Sequence, residues 1–288
     1  MGLVPSYGLL VAVQAALVLV PGRPRRLASS KVLGLIVPAA AMAIGVALAS
    51  STGGADFLAA LAAIATPILA AGAGWTRGWS HPWLPALAVP PLYVLAWLRP
   101  GSLDGEAAGL VLICGACLAV TGVVAALAPR SWLVVGLVLL VVLDVVLVWG
   151  DRSVEPAMNT LQAAHPPSIG RPLPALQQAV LGSATMGWLD FAAPALLGLL
   201  VARPVRAAAA TAVAGWLWGL LLIATSPIAA TPPVLAGLLA GYRRSAGVST
   251  SPGAPRSPHS TRSAGKVRSP SSGTASQTER SISTGWSR

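Results

Sequence analysis

Two carboxylic acids stand in this sequence where a carboxylic acid is costly. The chain has only eight acidic residues: Asp56, Asp104, Glu106, Asp144, Asp151, Glu155, Asp190 and Glu279. Six fall in loops, at the ends of apolar stretches or in the C-terminal segment. Asp144 and Asp190 lie in the middle of two successive apolar stretches. An ionisable group inside a bilayer costs roughly 3 kcal/mol or more, so each is a functional-site candidate by default. Two carboxylates sharing a site cannot both ionise easily and hold one proton between them. Such a pair supplies an acid and a base together. The ionised member takes a proton from water, which attacks a peptide carbonyl. The protonated member stabilises the oxyanion and then helps the amine leave. This chemistry calls for no metal, no cofactor and no covalent intermediate. His81, His165 and His259 lie outside the apolar stretches, so no metal-ligand set is expected. Two other readings stay open on the residues alone. Intramembrane acids also carry protons or ions in transporters, and a single buried Asp can serve packing. No Lys, Arg or His lies mid-stretch to pair with either Asp.

The elements that must position these acids are membrane-spanning helices. Hydrophobic residues make up 55% of the chain and charged residues 9%, with a mean hydropathy of +0.73. Soluble domains carry about a quarter charged residues, so the expected solvent is lipid. Spans need roughly 17–25 apolar residues. Nine stretches are candidates, the fourth and ninth slightly shorter than this: Leu3–Val20, Val32–Ser50, Phe57–Trp75, Trp83–Leu98, Ala107–Leu127, Trp132–Trp149, Val180–Ala202, Ala207–Thr225 and Ile228–Tyr242. Pro90 and Pro91 interrupt the fourth, and the ninth is short; proline is tolerated where neighbours satisfy the freed backbone. The N-terminus reads as the first span and not as a signal peptide, because its charges follow the apolar run. The expected fold is therefore an all-α polytopic membrane protein.

Charge orients it. Arg23, Arg25, Arg26 and Lys31 follow the first span, Arg77 the third, Arg130 the fifth, Arg203 and Arg206 the seventh, and Arg243 and Arg244 the ninth. Arg99, Arg152 and Arg171 fall on the other side, with most of the loop acids. The positive-inside rule then places the N-terminus outside and the C-terminus in the cytoplasm. In this arrangement Asp144 lies about 21 Å along a helix from Arg130, and Asp190 about 19.5 Å from Arg203. Antiparallel neighbours at equal depth can bring the two carboxyls face to face. Trp132 and Trp149 flank the sixth span as interface anchors.

The remaining segments carry weaker signals. Residues 150–179 form the longest internal loop and are proline-rich, which suits either a lid or a plain connector. Residues 1–242 read as a membrane domain and 243–288 as a disordered, basic, Ser/Pro/Gly-rich cytoplasmic tail. The net charge of +11 sits largely in that tail without a recognition motif, so no nucleic-acid partner is expected; weak attraction to anionic lipid is. Cys114 and Cys117 form a Cys-Gly-Ala-Cys run in an apolar helix with no basic neighbour. They read as small packing residues and not as a redox pair.

The flanks of the two acids resemble a known family. Leu143-Asp144-Val145-Val146-Leu147-Val148-Trp149-Gly150 resembles the sixth-helix motif of signal peptide peptidases, a Tyr-Asp pair followed by an aromatic-rich stretch ending in Gly. Met186-Gly187-Trp188-Leu189-Asp190-Phe191-Ala192-Ala193-Pro194 resembles the seventh-helix Gly-x-Gly-Asp motif, including the Pro shortly after the Asp. Pro233-Val234-Leu235 resembles the Pro-Ala-Leu motif, which in that family packs beside the aspartates. The resemblance, to the presenilin and signal peptide peptidase family, covers about Trp132 to Tyr242, the catalytic-like half. It implies nine helices, an intramembrane aspartyl protease, Asp144 and Asp190 as catalytic residues, and Gly187, Leu189, Pro233, Val234 and Leu235 as substrate-binding positions. It implies a membrane-embedded peptide substrate, a transmembrane or signal-peptide segment, that pairs with an extended segment near the acids. Leu143 stands in place of Tyr, Leu189 in place of the second Gly, and Val234 in place of Ala. A Leu where Gly allows close backbone approach alters substrate fit or suppresses cleavage. The Ala-, Arg-, Gly- and Pro-rich usage suggests a high-GC bacterium and hence its plasma membrane.

Overall fold

The computed structural model describes residues 2–24, 30–150, 154–164, 168–169, 171–222 and 231–242. These belong to one compact unit, Met1–Ser245. The tail expected from 243 onward lies outside the described residues.

Ten α-helices dominate among the described residues: α1 (Leu3–Leu19), α2 (Lys31–Ala49), α3 (Thr52–Arg77), α4 (Leu84–Leu98), α5 (Leu103–Leu127), α6 (Arg130–Val145), α7 (Val154–Ala163), α8 (Trp188–Leu200), α9 (Pro204–Leu222) and α10 (Pro232–Gly241). Among the described residues three helical segments are long and apolar enough to cross a membrane: Thr52–Arg77, Leu103–Leu127 and Arg130–Gly150. Large apolar side chains stand exposed on the outer faces, among them Ile36, Ile64, Ile68, Leu87, Val111, Val135 and Leu221. Such an exterior suits lipid better than water. Close helix contact relies on small residues. A Cβ at Gly122 of α5 would come within 2.9 Å of the Thr76 carbonyl oxygen of α3, and one at Gly198 of α8 within 2.7 Å of the Val18 carbonyl oxygen of α1.

The fold departs from the all-α expectation at one consequential place. The seventh span was expected to run as a helix from Val180. Instead residues 178–187 form an antiparallel hairpin, β3 (Gln178–Leu181) and β4 (Ala184–Gly187), with Gln178 opposite Gly187. Its two-residue turn is Gly182-Ser183. Gly182 has φ 59°, the left-handed geometry that tight hairpin turns require. Its N–H donates to Glu106 Oε2 at 2.7 Å, which ties the turn to the start of α5. A smaller hairpin, β1 (Ser168–Ile169) and β2 (Arg171–Pro172), lies upstream. With α7 it fills part of the segment expected to be a loop.

Arg77 also departs from expectation. It was counted among cytoplasmic loop charges, yet it ends α3 with 0% exposure. Its Nε donates to the Leu118 carbonyl at 3.0 Å, and its Nη2 to Thr121 Oγ1 at 2.7 Å and the Ala195 carbonyl at 2.9 Å. These acceptors satisfy Nε and Nη2 of the buried guanidinium, while Nη1 has no partner among the described residues. It knits α3, α5 and α8 together.

α8 lies between two apolar clusters. Phe191, Ala192 and Ala195 join Leu10, Val11, Ile113 and Cys117 from α1 and α5. Ala193, Leu196, Leu197 and Leu200 join Leu133, Leu137 and Leu140 of α6 and Val234 and Leu238 of α10. From Phe191 onward α8 is therefore packed on both sides.

Candidate active site

Asp144 sits in the last turn of α6, 8% exposed. Directly after it the helix widens into a π-helical turn, Val146–Gly150. Such turns break the regular ladder and recur at functional sites. Asp144 Oδ2 accepts from the Thr231 backbone N–H at 3.2 Å and from the Thr231 hydroxyl at 2.6 Å.

Thr231 stands where a helix cap would stand, immediately before Pro232 and Pro233 of α10. Its hydroxyl makes no capping bond to its own helix. The first turn of α10 explains why. Pro233, at the second helical position, has no N–H for a cap to satisfy, and the Val234 N–H at the third donates to the Thr231 backbone carbonyl at 2.9 Å. The hydroxyl is left for Asp144.

Asp190 is not in the middle of a helix. β4 ends at Gly187 and α8 begins at Trp188, which puts Asp190 in the first helical turn. Its Oδ2 accepts from the Gly187 N–H at 2.8 Å, the carboxylate half of a capping box. The positive end of the helix dipole favours an acidic group there. Asp190 is partly accessible, whereas Asp144 is buried. The two acids lie close enough that Asp144 acts electrostatically on Asp190. Tyr7 of α1 and Cys117 of α5 lie within the same range of Asp190. Cys117 Sγ donates to the Trp188 carbonyl at 3.4 Å, and both cysteines are free thiols.

The backbone of Asp190 has its own partner. Pro194 stands four residues on and lacks the N–H that a helix would offer to the Asp190 carbonyl. Gln14 Nε2, from α1, donates to that carbonyl at 3.0 Å. Gln14 is 2% exposed.

The other expected site residues fall around this pair. Gly187 touches Asp190 directly. Leu189, Val234 and Leu235 share one apolar cluster with Leu143 and Leu147, so segments of α6, α8 and α10 that lie far apart in sequence meet. Pro233 is buried at the start of α10. Gly187 has an extended backbone, φ −71° and ψ 159°, and a Cβ there would stand 3.4 Å from Asp190 Oδ2. Its own conformation does not require glycine.

Thr231 and Gln14 were not expected from the sequence. A Thr before two prolines reads as an ordinary helix start, and a lone Gln in an apolar helix carries no spacing signal. The usable clue was Pro194, whose missing N–H implied a donor from elsewhere.

A cavity of about 350 Å³ opens elsewhere, between α4, α5 and the 172–180 segment, lined by Trp97, Glu106, Leu110, Pro174, Leu176 and Gln178 among others. Neither aspartate borders it. Among the described residues no cluster of three or more His, Cys, Asp or Glu is placed to hold a metal ion.

Compared with protein-family models, with curated proteins and with solved structures, the chain has no match.

Proposed function

We propose that the protein is an intramembrane aspartyl endopeptidase in which Asp144 and Asp190 form the catalytic pair, similar to signal peptide peptidase. One observation carries the reading. Two acids from separate helices lie within electrostatic range of each other, and each carboxylate accepts from a backbone N–H at the start of a helix, Asp190 from its own α8 and Asp144 from α10. Oriented carboxylates that share one proton supply the acid and the base that peptide hydrolysis needs.

In this reading the protein has nine spans, with the N-terminus outside and the C-terminus in the cytoplasm of a bacterial plasma membrane. Asp144, held by two donors from Thr231, and Asp190, held by one from Gly187, exchange acid and base roles over the cycle. A substrate helix must be locally unwound before it is cut, because its backbone groups are already paired. The β3–β4 hairpin ends three residues before Asp190, so an extended substrate segment laid along it would present a peptide bond to the pair. Leu189 and Leu235 would line that approach. Leu189 makes the cleft narrower than a glycine would and favours small side chains beside the scissile bond.

Proton or ion coupling is the second reading. It draws support from the way α8 begins at one acid and α10 beside the other, as the broken helices of transporters begin at their ion sites.

One preparation tests both. Purified protein in liposomes is given a membrane-embedded reporter peptide and a trapped pH dye. The protease reading expects cleavage by the wild type and none by Asp144→Asn or Asp190→Asn. A wild type that leaves the reporter intact, or an Asn variant that keeps full activity, rejects it. Proton flux lost in both variants without any cleavage would favour coupling.

A further inference from the structure

We infer that Gln14 of α1 is a positioning residue for Asp190, acting as the replacement for the helical hydrogen bond that Pro194 removes. The inference deepens the reading of Asp190 as a catalytic acid, but its structural core stands apart from that reading.

The argument starts from the chain. A proline inside a helix deletes one N–H and leaves the carbonyl four residues earlier without a partner. For Pro194 that carbonyl belongs to Asp190. Inside an apolar domain an unpaired carbonyl costs about 1–3 kcal/mol, and the usual remedies are water or a bent helix. Here the donor is a side chain from another helix, with Gln14 Nε2 at 3.0 Å from Asp190 O. Gln14 is buried to 2% exposure among the apolar residues of α1. Its carboxamide is therefore not a solvent-facing group that happens to touch α8.

The bond is placed where orientation matters. Asp190 is the third residue of α8. Its φ and ψ are set by its own peptide groups and by the Gly187 N–H on its side chain. With Gln14 in place, backbone and carboxylate are held by independent donors, one from α1 and one from Gly187. Without it, the Asp190 carbonyl has no partner at the proline break, and the first turn settles into a different geometry. The carboxylate would then lose register with Asp144, and misplacement by even 1 Å costs about a hundredfold in rate.

The sequence supplies an unusually clean test. The chain has two phenylalanines, Phe57 and Phe191, and each follows an aspartate, Asp56 and Asp190. Protein labelled with ¹³C-carbonyl aspartate and ¹⁵N-phenylalanine therefore gives two carbonyl–amide NMR peaks, one reporting the Asp190 carbonyl and one serving as an internal control. Gln14→Leu should move the Asp190 carbonyl upfield and leave Asp56 in place. Gln14→Met serves the same purpose if the Leu variant does not fold. In a Pro194→Ala background, where a regular helix bond can form, the same change at position 14 should move neither peak.

Catalysis supplies the second readout. Gln14→Leu should lower kcat on the reporter by roughly a hundredfold with KM little changed, and Pro194→Ala should make position 14 nearly irrelevant to kcat. An Asp190 peak that does not move in the Leu or Met variant overturns the inference, as does an equal effect of position 14 in both backgrounds. A wild type that cleaves nothing would reject the protease reading alone, because the carbonyl shifts still decide whether Gln14 holds Asp190.

Discussion

At the scale of single residues, the site is organised by what prolines leave undone. Pro233 offers the Thr231 hydroxyl no N–H to cap, and Pro194 leaves the Asp190 carbonyl to Gln14. The consequence for Thr231 is testable. Its hydroxyl lies 2.6 Å from Asp144 Oδ2, a charge-assisted bond of the stronger kind. Thr231→Ser keeps the hydroxyl and should keep both stability and cleavage close to wild type. Thr231→Val keeps the shape and loses the donor. It should cost about 2 kcal/mol in unfolding free energy and at least tenfold in kcat, measured by thermal melting in detergent and by reporter cleavage. Equal behaviour of the two variants would remove Thr231 from the site. The acids themselves were legible in the sequence, because an Asp in a long apolar run has few harmless explanations. Their partners were not. Threonine and glutamine are common in membrane helices, and only a three-dimensional neighbour makes one of them a ligand to a carboxylate.

At the scale of elements, the hairpin before α8 is the main departure from expectation. Windowed hydropathy sees residues 180–202 as one apolar run and cannot distinguish a strand pair from a helix. The local signal was present in Gly182-Ser183, a two-residue turn between apolar segments, and in Val180 opposite Thr185, a β-branched pair that favours strands. The hairpin sets where α8 begins, and so sets Asp190 in a first turn. Gly182→Val would force a β-branched residue into a left-handed turn at φ 59°. It should destabilise the hairpin by about 1–3 kcal/mol and raise hydrogen exchange at residues 178–187 before any other segment. By contrast, Gly187→Ala meets no forbidden geometry and retains the N–H that Asp190 uses. It should melt within about 0.5 kcal/mol of wild type. A loss of cleavage in that stable variant would locate the need for glycine in the substrate's approach and not in the fold.

At the scale of the whole molecule, charge patterning and hydropathy anticipated a helical membrane protein, and three helices of spanning length with an apolar exterior agree with that coarse reading. They misjudged Arg77. A loop arginine and a buried one look alike in sequence when both follow an apolar run. In the structure it joins α3, α5 and α8 from the inside, with three acceptors at 2.7–3.0 Å. Lysine carries the charge but not the planar fork. Arg77→Lys and Arg77→Leu should both lower stability by about 3 kcal/mol, read as a fall in melting temperature. A lysine variant as stable as wild type would show that charge alone suffices there.

The bond between Asp144 and Thr231 spans 87 positions of chain, which has a consequence for biosynthesis. The ribosome delivers α6 to the membrane well before α10, at a pace of about 5–20 residues per second. For several seconds the nascent protein holds a carboxylate whose eventual donor has not been made. Asp144 must then stay hydrated, stay protonated or be shielded by the insertion machinery. The order of synthesis thus keeps Asp144 without its Thr231 donors until α10 arrives, and on the proposed reading the site stays incomplete until then.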